Sequence, residues 1–161
     1  MSRLYFHPGE IFAMAQEIER NGAHFYRTVS QKAALEDMRG LLLELAAMED
    51  DHEKIFAAMQ QGLSAQQGQA APQDEEAALY LRAWADGHVF DPKSDPARQL
   101  TGKETREEIL RIAIGLEKDS IAFYTGIREA IPEAWGRDKM EGIIKEEMSH
   151  TRLLGEQLAA S

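Results

Sequence analysis

Hydrophobic residues recur at steps of three and four over four long stretches of this chain, residues 9–32, 35–59, 104–130 and 133–158. That spacing follows the turn of an α-helix and gives each stretch one apolar stripe. The stripes read Phe12, Ala15, Glu19, Gly22, Tyr26, Val29 in the first stretch and Leu42, Leu45, Glu49, His52, Phe56, Met59 in the second. They continue as Leu110, Ala113, Glu117, Ser120, Tyr124, Ile127 in the third and Met140, Ile143, Glu147, His150, Leu154, Gln157 in the fourth. Pro8 suits a first helical turn, Pro132 separates the last two stretches, and the Gly, Ser and Pro of "QQGLSAQQGQAAPQ" stop the second. A shorter helical pattern, "DEEAALYLRAWADGHVF", precedes a loop with two Asp-Pro steps, and nothing alternates with period two. The pattern predicts one all-α domain over 1–161: two long helical hairpins, 9–61 and 104–158, joined by a crossover, 62–103, that carries a short helix.

The stripes carry acids and histidines where a buried seam should be apolar, and they carry them twice. "IERNGAHFY" (18–26) aligns with "LEKDSIAFY" (116–124), an offset of 98 residues from Tyr26 to Tyr124. The same ungapped offset lays "MEDDH" (48–52) on "EEMSH" (146–150). Glu19 thus falls on Glu117, Glu49 on Glu147 and His52 on His150. One Glu-x-x-His is a weak signal in an acid-rich chain, but two glutamates, two such pairs and two tyrosines in one register form an internal repeat. The heights agree as well: Glu19 and Glu49 are equally far from Ala34, and Glu117 and Glu147 equally far from Pro132. Residues equidistant from the turn of an antiparallel hairpin lie side by side, so six polar side chains are expected at one level of the bundle.

Four carboxylates facing one another in an apolar interior repel and lose hydration, so they need protons or cations there. Two neutral imidazoles add no charge, and two divalent ions balance four carboxylates. The chain has no cysteine, which excludes disulfides, thiolate zinc sites, iron–sulfur clusters and a thiol nucleophile. Bridging carboxylates with one nitrogen donor per ion suit iron or manganese, with zinc as an adventitious occupant. The competing reading is a metal-free helical interaction module whose buried acids and histidines pair among themselves. A net charge of −10 argues against nucleic acid and anionic membranes as partners. No apolar run approaches a membrane span and "MSRLYFHPGE" lacks the zones of a signal peptide, so a cytoplasmic protein is expected.

"EIERNGAHFY" and "LEKDSIAFY", each followed 30 residues beyond its glutamate by "EDDH" or "EMSH", resemble the two half-sites of rubrerythrin-like proteins of the ferritin-like superfamily. The resemblance spans 9–61 and 104–158 and leaves the crossover unmatched. It implies a ferritin-like four-helix bundle in which Glu19, Glu49, His52, Glu117, Glu147 and His150 hold two iron ions. It also implies oxidoreductase chemistry with peroxide or dioxygen, a role in oxidative stress, and a homo-oligomer, dimer or larger. Rubrerythrins proper add a cysteine-ligated rubredoxin domain, so electrons here would come from a separate donor. They also carry a further glutamate one turn beyond the ligand of the third long helix, where this chain has Ser120, with Gly22 at its repeat mate. A ferroxidase or iron-storage protein and a di-iron hydroxylase share the ligand pattern; the hydroxylase needs a substrate pocket, for which the crossover offers Tyr80, Trp84 and Phe90.

Tyr26 and Tyr124 read as core aromatics, with hydrogen bonding to the site or electron relay as the alternative. Glu17 is expected on the surface, and Glu146, whose repeat mate is Met48, beside the seam. Asp50, Asp51, Glu53 and Lys54 should form a solvated face, and His7, His24 and His88 surface or satisfied polar positions. Met14, Met48, Met59, Met140 and Met148 fit as core filler.

Overall fold

A computed structural model describes residues 7–65, 74–87, 91 and 94–161. Its helices are α1 (Pro8–Ser30), α2 (Arg39–Ala65), α3 (Glu75–Ala85), α4 (Arg106–Ala130) and α5 (Arg137–Ala159). The described residues contain no strand, as the all-α pattern requires. None of their helices is long and apolar enough to cross a membrane. His88, Phe90 and residues 66–73 of the expected stop segment lie outside the described residues.

The helix ends follow local chemistry. Pro8 opens α1, where the missing N–H costs nothing. Thr105 and Glu108 form a reciprocal capping box at the start of α4, and the Asp74 side chain accepts from the Ala77 amide at the start of α3. The second long helix starts later than its periodicity suggests, because Ala33–Met38 winds as a 3-10 helix through Leu35, whose backbone is not helical. It also runs on to Ala65, beyond the expected end at residue 59. The fourth is preceded by a 3-10 turn at Glu133–Trp135, and Gly136 then takes φ +99°, a conformation that disfavours any residue with a Cβ.

α1 packs chiefly on α2, and α4 on α5. Side-chain pairs Gln16–Gln60, Arg20–Glu53 and Arg27–Asp50 run in opposite senses along α1 and α2, so these two are antiparallel. α3 lies on the outside of α4, where Gly126 lets it approach: a Cβ there would stand 2.6 Å from the Tyr80 ring. Tyr80 donates to the Ala122 carbonyl, and Trp84 packs on Phe123 with ring centres 5.3 Å apart.

The core is divided. One apolar cluster gathers Phe12 and Ala15 of α1, Phe56 of α2, Phe123 and Ile127 of α4, and Met140 and Ile143 of α5. The other gathers Phe25 and Val29, Leu42 and Leu45, Ile109 and Ala113, and Leu154 of the same four helices. Each long helix therefore passes from one apolar cluster to the other, and the residues between them on each stripe are the acids and histidines. Dispersion and burial hold both ends of the bundle, which keeps a charged layer in the middle.

Candidate metal centre

Glu19, Glu49, His52, Glu117, Glu147 and His150 meet in that layer, each at most 3% exposed. Their donor atoms form two groups, Glu19–Glu49–His52–Glu147 and Glu49–Glu117–Glu147–His150, each with its atoms within 4.8 Å of one another. Glu49 and Glu147 belong to both groups. Glu19 and His52 belong to one, and Glu117 and His150 to the other. The Glu-x-x-His spacing places each acid and its histidine one turn apart on α2 or α5, facing the same way.

Both histidines turn Nδ1 inward. His52 Nδ1 lies 2.8 Å from Glu147 Oε1 and 3.5 Å from Glu19 Oε2. His150 Nδ1 lies 3.4 Å from both Glu49 Oε1 and Glu117 Oε1. Ligand atoms roughly 2.0–2.2 Å from a common ion stand about 3 Å apart, so these spacings are those of a coordination shell. Hydrogen bonding does not account for them. Glu19 Oε2, Glu49 Oε1, His52 Nδ1, Glu117 Oε2, both Glu147 oxygens and His150 Nδ1 are buried with no hydrogen-bond partner. Orphaned buried polar atoms are costly and rare, and here every one of the six residues aims at least one at its neighbours. The donor set, carboxylate with one imidazole per group, fits a di-iron site.

The partners of the other atoms explain the aim. Tyr26 on α1 donates to Glu117 Oε1 on α4 at 2.5 Å, and Tyr124 on α4 donates to Glu19 Oε1 on α1 at 2.5 Å. Each tyrosine pins one carboxylate oxygen and leaves Oε2 of the same group free to point inward. Both rings are also buried, so each tyrosine is a core aromatic whose hydroxyl reaches a carboxylate of the layer. The histidines are backed on their outer nitrogen: His52 Nε2 meets Glu146 Oε2 at 2.5 Å, and His150 Nε2 meets Met48 Sδ at 3.3 Å. With Nδ1 turned to the cluster, Nε2–H is the donor in both contacts.

Taken by themselves, the side chains show how poorly the layer tolerates its own charge. Burial lifts Glu19 to about 7. Burial, with the neighbouring carboxylates, pushes Glu49 and Glu147 well above the usual range. Burial also presses on Glu117, but the Tyr26 hydroxyl and the close approach of Glu147 and His150 outweigh it and hold that carboxyl low. For His150 burial disfavours the cation, yet its contacts with Glu117 and Glu49 prevail and raise it to about 9. Protons or cations are required to balance the layer.

Several expectations need correction. Glu146 is half-exposed, as a residue beside the seam should be, but its carboxylate reaches across to His52. Its mate Met48 is not plain filler either, since its sulfur backs His150. Met148 lies one step off the stripe and is 56% exposed, whereas Met59 and Met140 are buried and Met14 packs against the core. Asp51 and Lys54 are exposed, but Asp50 and Glu53 bridge to Arg27 and Arg20 of α1. Glu17 pairs with Arg20 at the surface, and His24 bonds Asp95 at 2.9 Å. Tyr80 and Trp84 pack on the far side of α4.

The rubrerythrin family model matches residues 10–87. The match takes in α1, α2 and the short helix α3, so it extends into the crossover that the motif comparison left aside. It includes Glu19, Glu49 and His52; their counterparts on α4 and α5 rest on the repeat and on the geometry. No curated protein and no solved structure gives a significant match.

Proposed function

We propose that this rubrerythrin-like, ferritin-like protein is a dinuclear iron protein that reduces peroxide or dioxygen. The observation that carries the reading is the pair of buried four-residue groups sharing Glu49 and Glu147. In this reading Glu19 and His52 would hold one ion and Glu117 and His150 the other, with Glu49 and Glu147 common to both groups. When bound, iron supplies the one-electron chemistry. The chain's own residues supply neutrality and aim: four carboxylates offset two divalent ions, the tyrosines fix the orientation of Glu19 and Glu117, and Glu146 fixes His52.

As a reductase it would take its electrons from outside these helices, since none of the 161 residues is a cysteine able to hold a transfer iron. Ser120 stands where rubrerythrins proper have a further glutamate, and its hydroxyl donates to the Leu116 carbonyl at 3.1 Å. Redox cycling here therefore would not use a ligand from that position. A cytoplasmic setting suits such a reductase. The test is anaerobic loading with ferrous iron, followed by stopped-flow absorbance on mixing with peroxide and, separately, with oxygen. Fast oxidation by peroxide with little response to oxygen supports a peroxide reductase; the reverse supports ferroxidase or oxygenase chemistry; no iron uptake overturns the proposal.

A further inference from the structure

On every long helix one stripe position follows the acid of the charged layer by a single turn. On α2 and α5 that position holds His52 and His150, buried rings that lie 18° from parallel with centres 6.0 Å apart. On α1 and α4 it holds Gly22 and Ser120, which have almost no side chain to offer. The layer is therefore filled to its edge on the histidine side and under-filled on the other.

A cavity of about 270 Å³ stands on the under-filled side, walled by α1 and α4 and by Ser94, Pro96 and Gln99 of the crossover. Gly22, Ser120, Glu49 and Glu117 all line it, so it reaches the layer itself. Two further cavities, one between α1 and α3 and one beside Trp135 at the end of the bundle, touch none of the six layer residues. Gly22 sits within α1 and is not among the glycines of positive φ, so the missing side chain is what matters there. A Cβ on Gly22 would stand 3.4 Å from Glu49 Oε2, at the edge of ordinary contact, and a longer side chain would take the space in front of that carboxylate. Ser120 turns its hydroxyl back along α4 to the Leu116 carbonyl at 3.1 Å. Peroxide and dioxygen have two heavy atoms each, and a water claims about 30 Å³ of liquid, so either oxidant fits the cavity with room to move.

We propose that the oxidant reaches the centre through the opening between Gly22 and Ser120, and that Gly22 is the residue that keeps this entry open. The proposal rests on the metal-centre reading for what lies at its inner end, while the opening belongs to the side chains alone. A substitution that narrows a passage slows entry and exit alike and leaves affinity unchanged, whereas one that disturbs the centre changes affinity. Nitric oxide is a neutral diatomic that ligates ferrous iron, so it can follow the path of dioxygen whatever the charge of the walls. Its association and dissociation rates are measured by anaerobic stopped-flow absorbance on the full chain loaded with ferrous iron, with metal content read on the same samples. Three variants carry the test: Gly22→Leu, Ser120→Leu and Ile18→Trp, the last reaching into the cavity from one turn earlier on α1. Each should slow both rates at least about tenfold, with Kd within about twofold and two irons per chain. Gly22→Ala, whose Cβ the site accepts, should slow them far less. Unchanged rates in the variants that hold two irons, or rates that change only through Kd, overturn the entry. Xenon enters apolar cavities without needing iron, so methyl NMR shifts of Ile18 and Leu116 under dissolved xenon report on the opening in the metal-free chain. Shifts that shrink in Gly22→Leu are expected; no shift in the wild type, or full shifts in Gly22→Leu, overturns the opening. Wild-type protein that takes up no iron overturns the centre, and the xenon result then decides the opening by itself, as it does if none of the three variants holds two irons.

Discussion

Within the charged layer the two halves of the bundle carry the same residue types at matching positions; one bond further out they do not. Glu19, Glu49 and His52 correspond to Glu117, Glu147 and His150, and even the tyrosines cross symmetrically, Tyr26 to Glu117 and Tyr124 to Glu19. Yet His52 is backed by a carboxylate and His150 by a thioether. The inner six answer to charge balance, which fails if any carboxylate is lost, so both halves carry the same residues. The outer contacts answer only to the need for a partner at Nε2, and an anion or a polarisable sulfur can each provide one. The two ion positions of the proposed centre therefore have like ligands and unlike surroundings.

The equivalence of the halves breaks first, and most severely, at the shared acids. Glu147→Gln or Glu49→Gln removes a carboxylate common to both groups and is expected to reduce metal content from two ions per chain towards none. Glu19→Gln or Glu117→Gln touches one group, and one ion per chain should remain. Elemental analysis of protein loaded to saturation separates the two patterns. Equal losses from all four variants would show that Glu49 and Glu147 are not shared.

Removing the ions should expose what both halves hold in common. At free metal about 100 times Kd, each ion contributes ~2.7 kcal/mol, so two together correspond to roughly 10–20 °C in Tm for a chain of this size. The gap should grow with pH. In the metal-free protein Glu19 is raised from 4.5 to about 7 and His150 from 6.5 to about 9. A folded state that holds these protons more tightly than the unfolded chain is favoured at low pH, and the advantage fades as pH climbs through 7 and then 9. Glu49 and Glu147 act in the same direction. Glu117, held low, contributes above its ordinary value and is lost only on acidification, so it does not reverse the trend between pH 5 and 8. Ions compete with protons for the same atoms and bind better as pH rises. Melting curves with and without chelator at pH 5, 6, 7 and 8 should therefore diverge, and a constant gap would contradict the charge-balance argument.

The charged layer was legible because several regularities agree on it: the stripe positions, the 98-residue offset and the equal distances from the turn that the offset carries from one hairpin to the other. All three are properties of position along a helix, which sequence spacing encodes directly. Glu146 and Met48 escaped because their roles depend on which side chain of α2 meets which of α5 across the bundle. No spacing within one helix carries that; their mismatch as repeat mates made them look irrelevant when it marked the point of divergence. The cavity wall escaped for another reason. Pro96–Gln99 is a single 3-10 turn, too short for periodicity, while the aromatic residues that drew notice in the crossover, Tyr80 and Trp84, serve to dock α3 on α4.

The divergence itself can be reversed. A carboxylate behind a ligating histidine orients the ring and raises its basicity, and losing such a contact typically costs 10–100-fold in metal affinity. Glu146→Met, which copies the other half, should weaken one of two binding steps by about that factor while sparing the second. Met48→Glu should strengthen the other step, because His150 would gain the support His52 now has. Calorimetric titration of metal-free protein resolves the two steps. Two steps affected equally by Glu146→Met would mean that Glu146 acts on the bundle as a whole and not through His52.

The smallest expected effect tests the symmetry that remains. Tyr26→Phe and Tyr124→Phe each delete a hydroxyl whose partner oxygen is buried beyond the reach of water. Leaving a buried acceptor unpaired costs about 1–3 kcal/mol. The two carboxylates differ in how they carry that loss. Glu117 is already stabilised as an anion by Glu147 and His150, whereas Glu19 is pushed up by burial and takes its relief from Glu49 and Tyr124. Glu19 therefore depends more on its tyrosine. Tyr124→Phe should lower the stability of the metal-free protein more than Tyr26→Phe, with the difference shrinking in the loaded protein, where an ion takes over the charge of both. Denaturant unfolding of the two variants, loaded and chelated, gives four free energies. If the two substitutions cost the same in the metal-free protein, the halves are equivalent at the tyrosines, and their inequality is confined to Glu146 and Met48.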